Sequence, residues 1–132
     1  MVVDQEYSLP RATLSRAACV DLLARAELAR AVISVRCLPA ALPVRVAIID
    51  EQHLLVASSE DSVILAARRG DVLSIEIDGL EPNGATWSVM ASGLAGAATF
   101  TADLPEAMRE AIDRGATLIS LPLSVVVGER IG

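Results

Sequence analysis

The chain has 132 residues with a formal net charge of -6; 53% of them are apolar and 21% charged. That length suits one unit with a real core, small enough to gain from a partner that covers further apolar surface. The acidic balance, with Tyr7, Trp87 and Phe100 the sole aromatics, excludes a phosphate-backbone or base-stacking nucleic-acid surface, and the absence of lysine excludes Schiff-base chemistry.

Residues 1–12 have mixed polarity and contain Pro10, and they read as a tail or loosely docked arm ahead of a single domain over 13–132. Ser15 is placed to cap a helix, with Leu14 outside the cap set to staple against Cys19. Cys19, Leu22, Leu23 and Ala26 then repeat at helical spacing. Strand-like segments follow at about 30–36 and 41–50, with Cys37, Leu38 and Pro39 as the expected turn between them. A third strand, His53 to Ser58, returns through a turn near Asp50, Glu51 and Gln52.

The stretch from Ser59 to Gly70 has acids at its start, Arg68 and Arg69 at its end and glycine beyond, a pattern that complements a helix macrodipole. Ser59 reads as its cap. From Val72 to Asp78, Leu73, Ile75 and Ile77 alternate with polar residues, which predicts a half-solvated strand. A loop over 79–84 leads to a long strand of about 85–98. Asp103 and Glu106 read as cap and capping-box partner of a helix that Gly115 stops, and one or two final strands bend at Pro122. About six antiparallel strands and three short helices predict an α+β barrel.

Several runs of this order carry further information. Leu14-Ser15-Arg16 opens the first helix, Arg30 to Val35 follows, then Leu42-Pro43-Val44, Trp87 to Ala95, and Leu121 to Ile131. In sequence and spacing they resemble the FMN-binding split barrels related to pyridoxamine 5'-phosphate oxidase, over about residues 14–131. The resemblance implies a mainly antiparallel split β-barrel with short peripheral helices, assembled as a homodimer with ligand grooves at the subunit interface. It also implies a flavin, FMN, and a small-molecule oxidoreductase activity in which the isoalloxazine performs the chemistry. Strict pyridoxamine phosphate oxidation is not expected, because no basic set for a second phosphate is evident.

By the same resemblance, the candidate cofactor residues are Pro43, Val44, Arg45, Ser58, Ser59, Ser62, Trp87 and Ser88. Ser58, Ser59 and Ser62 occupy the neighbourhood that holds the flavin phosphate, Arg45 is the nearby cation, and Trp87-Ser88 borders the partner subunit's flavin. Each has a second reading: Ser59 as a helix cap, Arg45 as a solvated or interface arginine, Trp87 as a plug of the core or dimer seam. Where related sequences commonly carry a basic residue, this chain has Ile64, and Glu60 and Asp61 stand in the connecting loop. Carboxylates there repel a phosphate dianion. A flavin-free barrel acting as a ligand-binding or interaction module is therefore the first alternative, and a deazaflavin-binding reductase the next.

No catalytic triad or metal cluster is expected. His53 stands alone beside a turn, Cys19 and Cys37 lack ligand spacing, and Asp50-Glu51 and Glu60-Asp61 read as solvated charge. The amino terminus lacks the basic and apolar regions of a signal peptide and no apolar run is long enough to span a bilayer, so a cytoplasmic location with free thiols and no membrane partner is expected.

Overall fold

The computed structural model describes residues 9–98 and 103–132, so residues 1–8 of the expected arm lie outside it. The elements in chain order are β1 (Arg11–Thr13), α1 (Arg16–Arg25), β2 (Leu28–Val35), β3 (Leu38–Asp50), β4 (His53–Ser58) and α2 (Asp61–Arg69). They continue with β5 (Val72–Leu80), β6 (Thr86–Leu94), β7 (Gly96–Ala97), α3 (Glu106–Asp113), β8 (Thr117–Pro122) and β9 (Val125–Ile131). Every pairing is antiparallel, in the order β1-β9-β6-β5-β2-β3-β4-β8-β7.

Two-residue alternation sets the inside of this sheet. Leu73, Ile75 and Ile77 of β5, Val89 and Ala91 of β6, Val44 and Val46 of β3 and Leu54 and Val56 of β4 all fall in one buried cluster. The sheet can close because β7 continues β6 past Ala95, whose N–H donates to Asp71 O as the last bond toward the β5 side. One stretch of chain thus pairs with β5 and β9 at one end and with β8 at the other. That closure makes the barrel, and β9 and β1 extend it outward beyond β6.

The helices divide the remaining surface. α1 packs across β3, β6 and β9 and sends Cys19 and Leu23 into the core; α2 packs across β2, β5, β7 and β8 and contributes Val63. α3 lies on the opposite side of the wall, where Leu104 and Met108 cover Ala47, Leu55 and Ala57. Ser15 caps α1 as expected, its Oγ accepting from Ala18 N at 3.1 Å, and Gly70 closes α2 in the left-handed region at φ 68°.

Local expectations fail at four places, each for a tertiary reason. The turn between β2 and β3 is Arg36-Cys37, and Leu38 and Pro39 belong to β3. β3 pairs with β4 only from Arg45 onward, so Pro39 and Pro43 fall where its other edge is free and a missing N–H is tolerated. Ser59 is not the cap of α2: Glu60 takes that position without a side-chain bond, and Ser58 Oγ accepts from Glu60 N at 3.1 Å. The capping box at α3 does not form, because Pro105 takes the cap position and Asp103 lies two residues too early, at φ 31°. Arg11 and Ala12, the end of the expected arm over 1–12, lie in β1, which pairs with β9, and the Arg11–Glu129 ion pair and the Gly132 N–H to Pro10 O bond reinforce it.

A further departure concerns loop length. β5 runs on to Leu80, so the loop expected over 79–84 is confined to residues 81–85. Gly79 leaves room for the Trp87 ring across the strand pair, which a Cβ there would meet at 2.6 Å.

The β2–β3 turn is strained in a testable way. Arg36 and Cys37 sit at φ 52° and 66°, the left-handed pair of a two-residue hairpin that asparagine and glycine adopt at lower cost. Arg36→Asn with Cys37→Gly is expected to raise stability by about 1 kcal/mol, read as a higher urea midpoint at an unchanged slope. An unchanged midpoint would mean that the hairpin tip carries no such strain.

Candidate functional site

The β3–β4 ladder ends at the Arg45↔Ala57 pair, after which the strands part and leave a groove of about 290 Å³. Alternation turns Val44 and Val46 inward to the core and Arg45 outward, so the guanidinium stands on the groove wall. Ser58 and Ser59 follow Ala57 on the facing strand and line the same space, with Leu28 and Pro43 on one side. Val44 is 3% exposed and its side chain packs in the core, which leaves its backbone as its contribution to the groove. Ser58 is equally buried, shares the inward parity of Leu54 and Val56, and its Oγ accepts from Glu60 N.

α3 supplies the third wall. Its packing on Ala47, Leu55 and Ala57 brings Ala111 and Arg114 over the groove, and Ala116 follows at the start of the return to β8. Glu60 also lines it, whereas Asp61 begins α2 and Ile64 is half-buried on that helix away from the groove. Among the described residues, neither Arg45 nor Arg114 forms an ion pair. Two guanidinium groups without an ion-pair partner among the described residues and the Ser59 hydroxyl can hold a phosphoryl group or another compact anion, which the Glu60 carboxylate opposes. Arg45 also borders a second groove of about 180 Å³, with Arg25, Glu27 and Met108, so a ligand anchored there has room to continue.

Five of the eight candidates, Pro43, Val44, Arg45, Ser58 and Ser59, thus come together in one chain. Ser62 does not join them: it lies on the α2 face beside a different groove of about 300 Å³, with Ser34, Arg36, Leu65 and Arg69. Trp87 and Ser88 border a fourth groove, of about 540 Å³, with Asp78, Leu80 and Glu129. Trp87 points with the inward residues of β6 and packs on the barrel core, while Ser88 is on the outer face, paired in register with Asp78 and Glu129. Leu28 and Arg114 are the groove residues that sequence reasoning missed. Arg114 precedes Gly115 and reads as an ordinary helix-end cation; no local signal places it opposite β3.

Several other charged groups are occupied. Arg30 bonds to Asp78 at 2.7 Å and Glu76 at 3.3 Å, and these partners raise its pKa further. Burial, then the hydrogen bond and charge of Asp78, raise the Glu76 carboxyl above its usual range. His53 Nδ1 is 3.2 Å from Asp50 Oδ1 at the β3–β4 turn, a half-exposed pair. Burial pushes the Cys19 thiol up, which makes it a poor nucleophile. A hollow of about 630 Å³ between α1 and the β3–β4 turn, walled by Arg16, Asp21, Ile48 and Glu51, holds none of the eight candidates. Among the described residues no helix is long and apolar enough to cross a membrane, and no three potential metal ligands converge.

A closed antiparallel barrel with β9 and β1 outside it and a groove at the parting of β3 and β4 is a split barrel. The sequence model of the pyridoxamine 5'-phosphate oxidase family matches residues 15–120, and the chain belongs to that family. No curated protein matches it significantly. Solved structures with the same fold include the FAD-binding protein of Mycobacterium smegmatis, at TM-score 0.68 and 20% identity, over 92% of this chain and 98% of that one. An FAD-binding protein of Mesorhizobium loti superposes at TM-score 0.69 and 18% identity, over 94% and 98%. The FAD- and haem-binding protein of Mycobacterium smegmatis does so at 0.64 and 15%, over 89% and 71%.

Proposed function

We propose that the protein is a flavin-binding split barrel that holds the phosphoryl end of FMN in the groove between β3 and β4 and works as a small-molecule oxidoreductase. The observation that carries this reading is Arg45, a cation without an acidic partner among the described residues, facing Ser58 and Ser59 in a groove of a chain belonging to this family. Arg45 neutralises and orients the phosphoryl group, the Ser59 hydroxyl supplies a polar contact, and Leu28 with Pro43 walls one side. Bound flavin would supply the electron and hydride transfer. The FAD-binding structural neighbours and the groove beyond Arg45 make FAD the second flavin to assay.

The working unit in this reading is a homodimer. Val72, Leu94, Val125 and Val127 are more than half exposed on the outer face of β5, β6 and β9, which none of the three helices covers. The row Pro43↔Arg30↔Glu76↔Met90↔Val127 carries that face without a break to the groove. A second copy on it would bury the apolar side chains and bring the Trp87-Ser88 groove of one chain toward the Arg45 groove of the other, as the family resemblance implies. Val127→Asp puts like charges into that seam without touching the barrel core. It is expected to convert a dimer at micromolar concentration into a folded monomer by sedimentation; an unaltered mass would move the interface elsewhere.

Glu60 favours the competing reading, a flavin-free barrel that binds another ligand or a protein, because its carboxylate opposes an anion in the groove. Purification without added cofactor, a visible spectrum, and titration with FMN, FAD and a deazaflavin under fluorescence decide between them. A yellow or saturably quenching protein supports the flavin reading. A colourless protein that ignores all three overturns it.

A further inference from the structure

The groove carries more than one positive charge. Arg114, the residue that ends α3, lines it together with Arg45, and neither has an acidic ion-pair partner among the described residues. Two guanidinium groups on one space of about 290 Å³ repel each other, and Glu60 offsets only one of them. An anion of two charges relieves that repulsion, and a phosphoryl group offers three oxygens, enough to accept from both forks.

We infer that Arg114 is the second phosphate-holding residue of the groove, a cation delivered by the end of α3. The inference rests on the flavin reading above and deepens it: the ligand is a phosphorylated one, selected against its uncharged counterpart. It also accounts for the α3 packing. Leu104 and Met108 anchor the helix on Ala47, Leu55 and Ala57, which holds the far end, and with it Arg114, beside the parted strands.

A competing role for Arg114 is purely structural, as a charge complementing the α3 dipole, so the assay must separate the two. Wild type, Arg114→Ala, Arg114→Lys and the control Arg109→Ala, on the same helix outside the groove, are titrated with FMN and with riboflavin, which lacks the phosphate. Wild type is expected to bind FMN more tightly than riboflavin. Arg114→Ala should weaken FMN at least tenfold, about 1.4 kcal/mol, and leave riboflavin unchanged; Arg114→Lys should recover part of the loss and Arg109→Ala should match wild type. FMN affinity unaltered in Arg114→Ala, or FMN and riboflavin weakened equally, overturns the inference while the flavin reading stands. A wild type that binds neither flavin overturns that reading, and the inference with it.

Discussion

Replacing Gly93 with alanine is expected to destabilise the protein by about 3 kcal/mol, the largest stability effect of any single methyl group that this structure indicates. Gly93 lies on the inner face of β6, next to Ala95 where the strand leaves β5 and crosses to β8. A Cβ built on it meets the Pro122 carbonyl oxygen at 2.1 Å. The obstacle is backbone, held by the β4–β8 ladder that ends at His53↔Pro122, and no rotamer change can relieve it. Accommodation means pushing β6 and β8 apart, which opens the barrel at its closure. Gly96, three residues on, is the control: a Cβ there meets nothing within 4 Å. Gly96→Ala should therefore stay within about 0.5 kcal/mol of wild type. Urea midpoints of the two variants check this, and coincident midpoints would mean that β6 and β8 are not in contact as described.

Arg45→Ala is expected to weaken FMN about a hundredfold, roughly 2.7 kcal/mol, with little change in the thermal midpoint because the side chain is exposed and unpaired. A charge-assisted bond to a phosphoryl group is lost, and water replaces it poorly in a groove walled by Leu28, Pro43 and Ala57. Glu60→Ala should act in the opposite direction and tighten FMN, since one carboxylate leaves the groove. Both can be read from flavin fluorescence on the same day as the wild type. If Arg45→Ala binds FMN as wild type does, the phosphoryl group does not sit between β3 and β4.

The amino-acid sequence alone determined which faces go inside. Leu73, Ile75 and Ile77 alternate, and all three are buried; Ser15 and Gly70 mark a helix start and a helix stop, and both do so in the fold. These signals are local, one residue acting on a backbone a few positions away, and they survive any tertiary context. The antiparallel barrel class followed from them and from the order of elements, and the family resemblance reached Arg45, Ser58 and Ser59 through short apolar runs. Signals that depend on competition between neighbours did not survive. Ser59 and Asp103 are good caps in isolation, but Glu60 and Pro105 take those positions because the chain must leave β4 and enter α3 at the angles the barrel requires.

The tertiary structure alone decided how the site residues group. Ser62 is three residues from Ser59, yet it faces another groove across α2, because helical periodicity turns it away. Arg114 is 69 positions from Arg45, yet the two border one groove, because Leu104 and Met108 seat α3 on Ala47, Leu55 and Ala57. Burial of those apolar side chains positions a charge that takes no part in the packing. Nothing in the residues around Arg114 encodes that juxtaposition, because its cause lies in the outer faces of two strands far away in the chain.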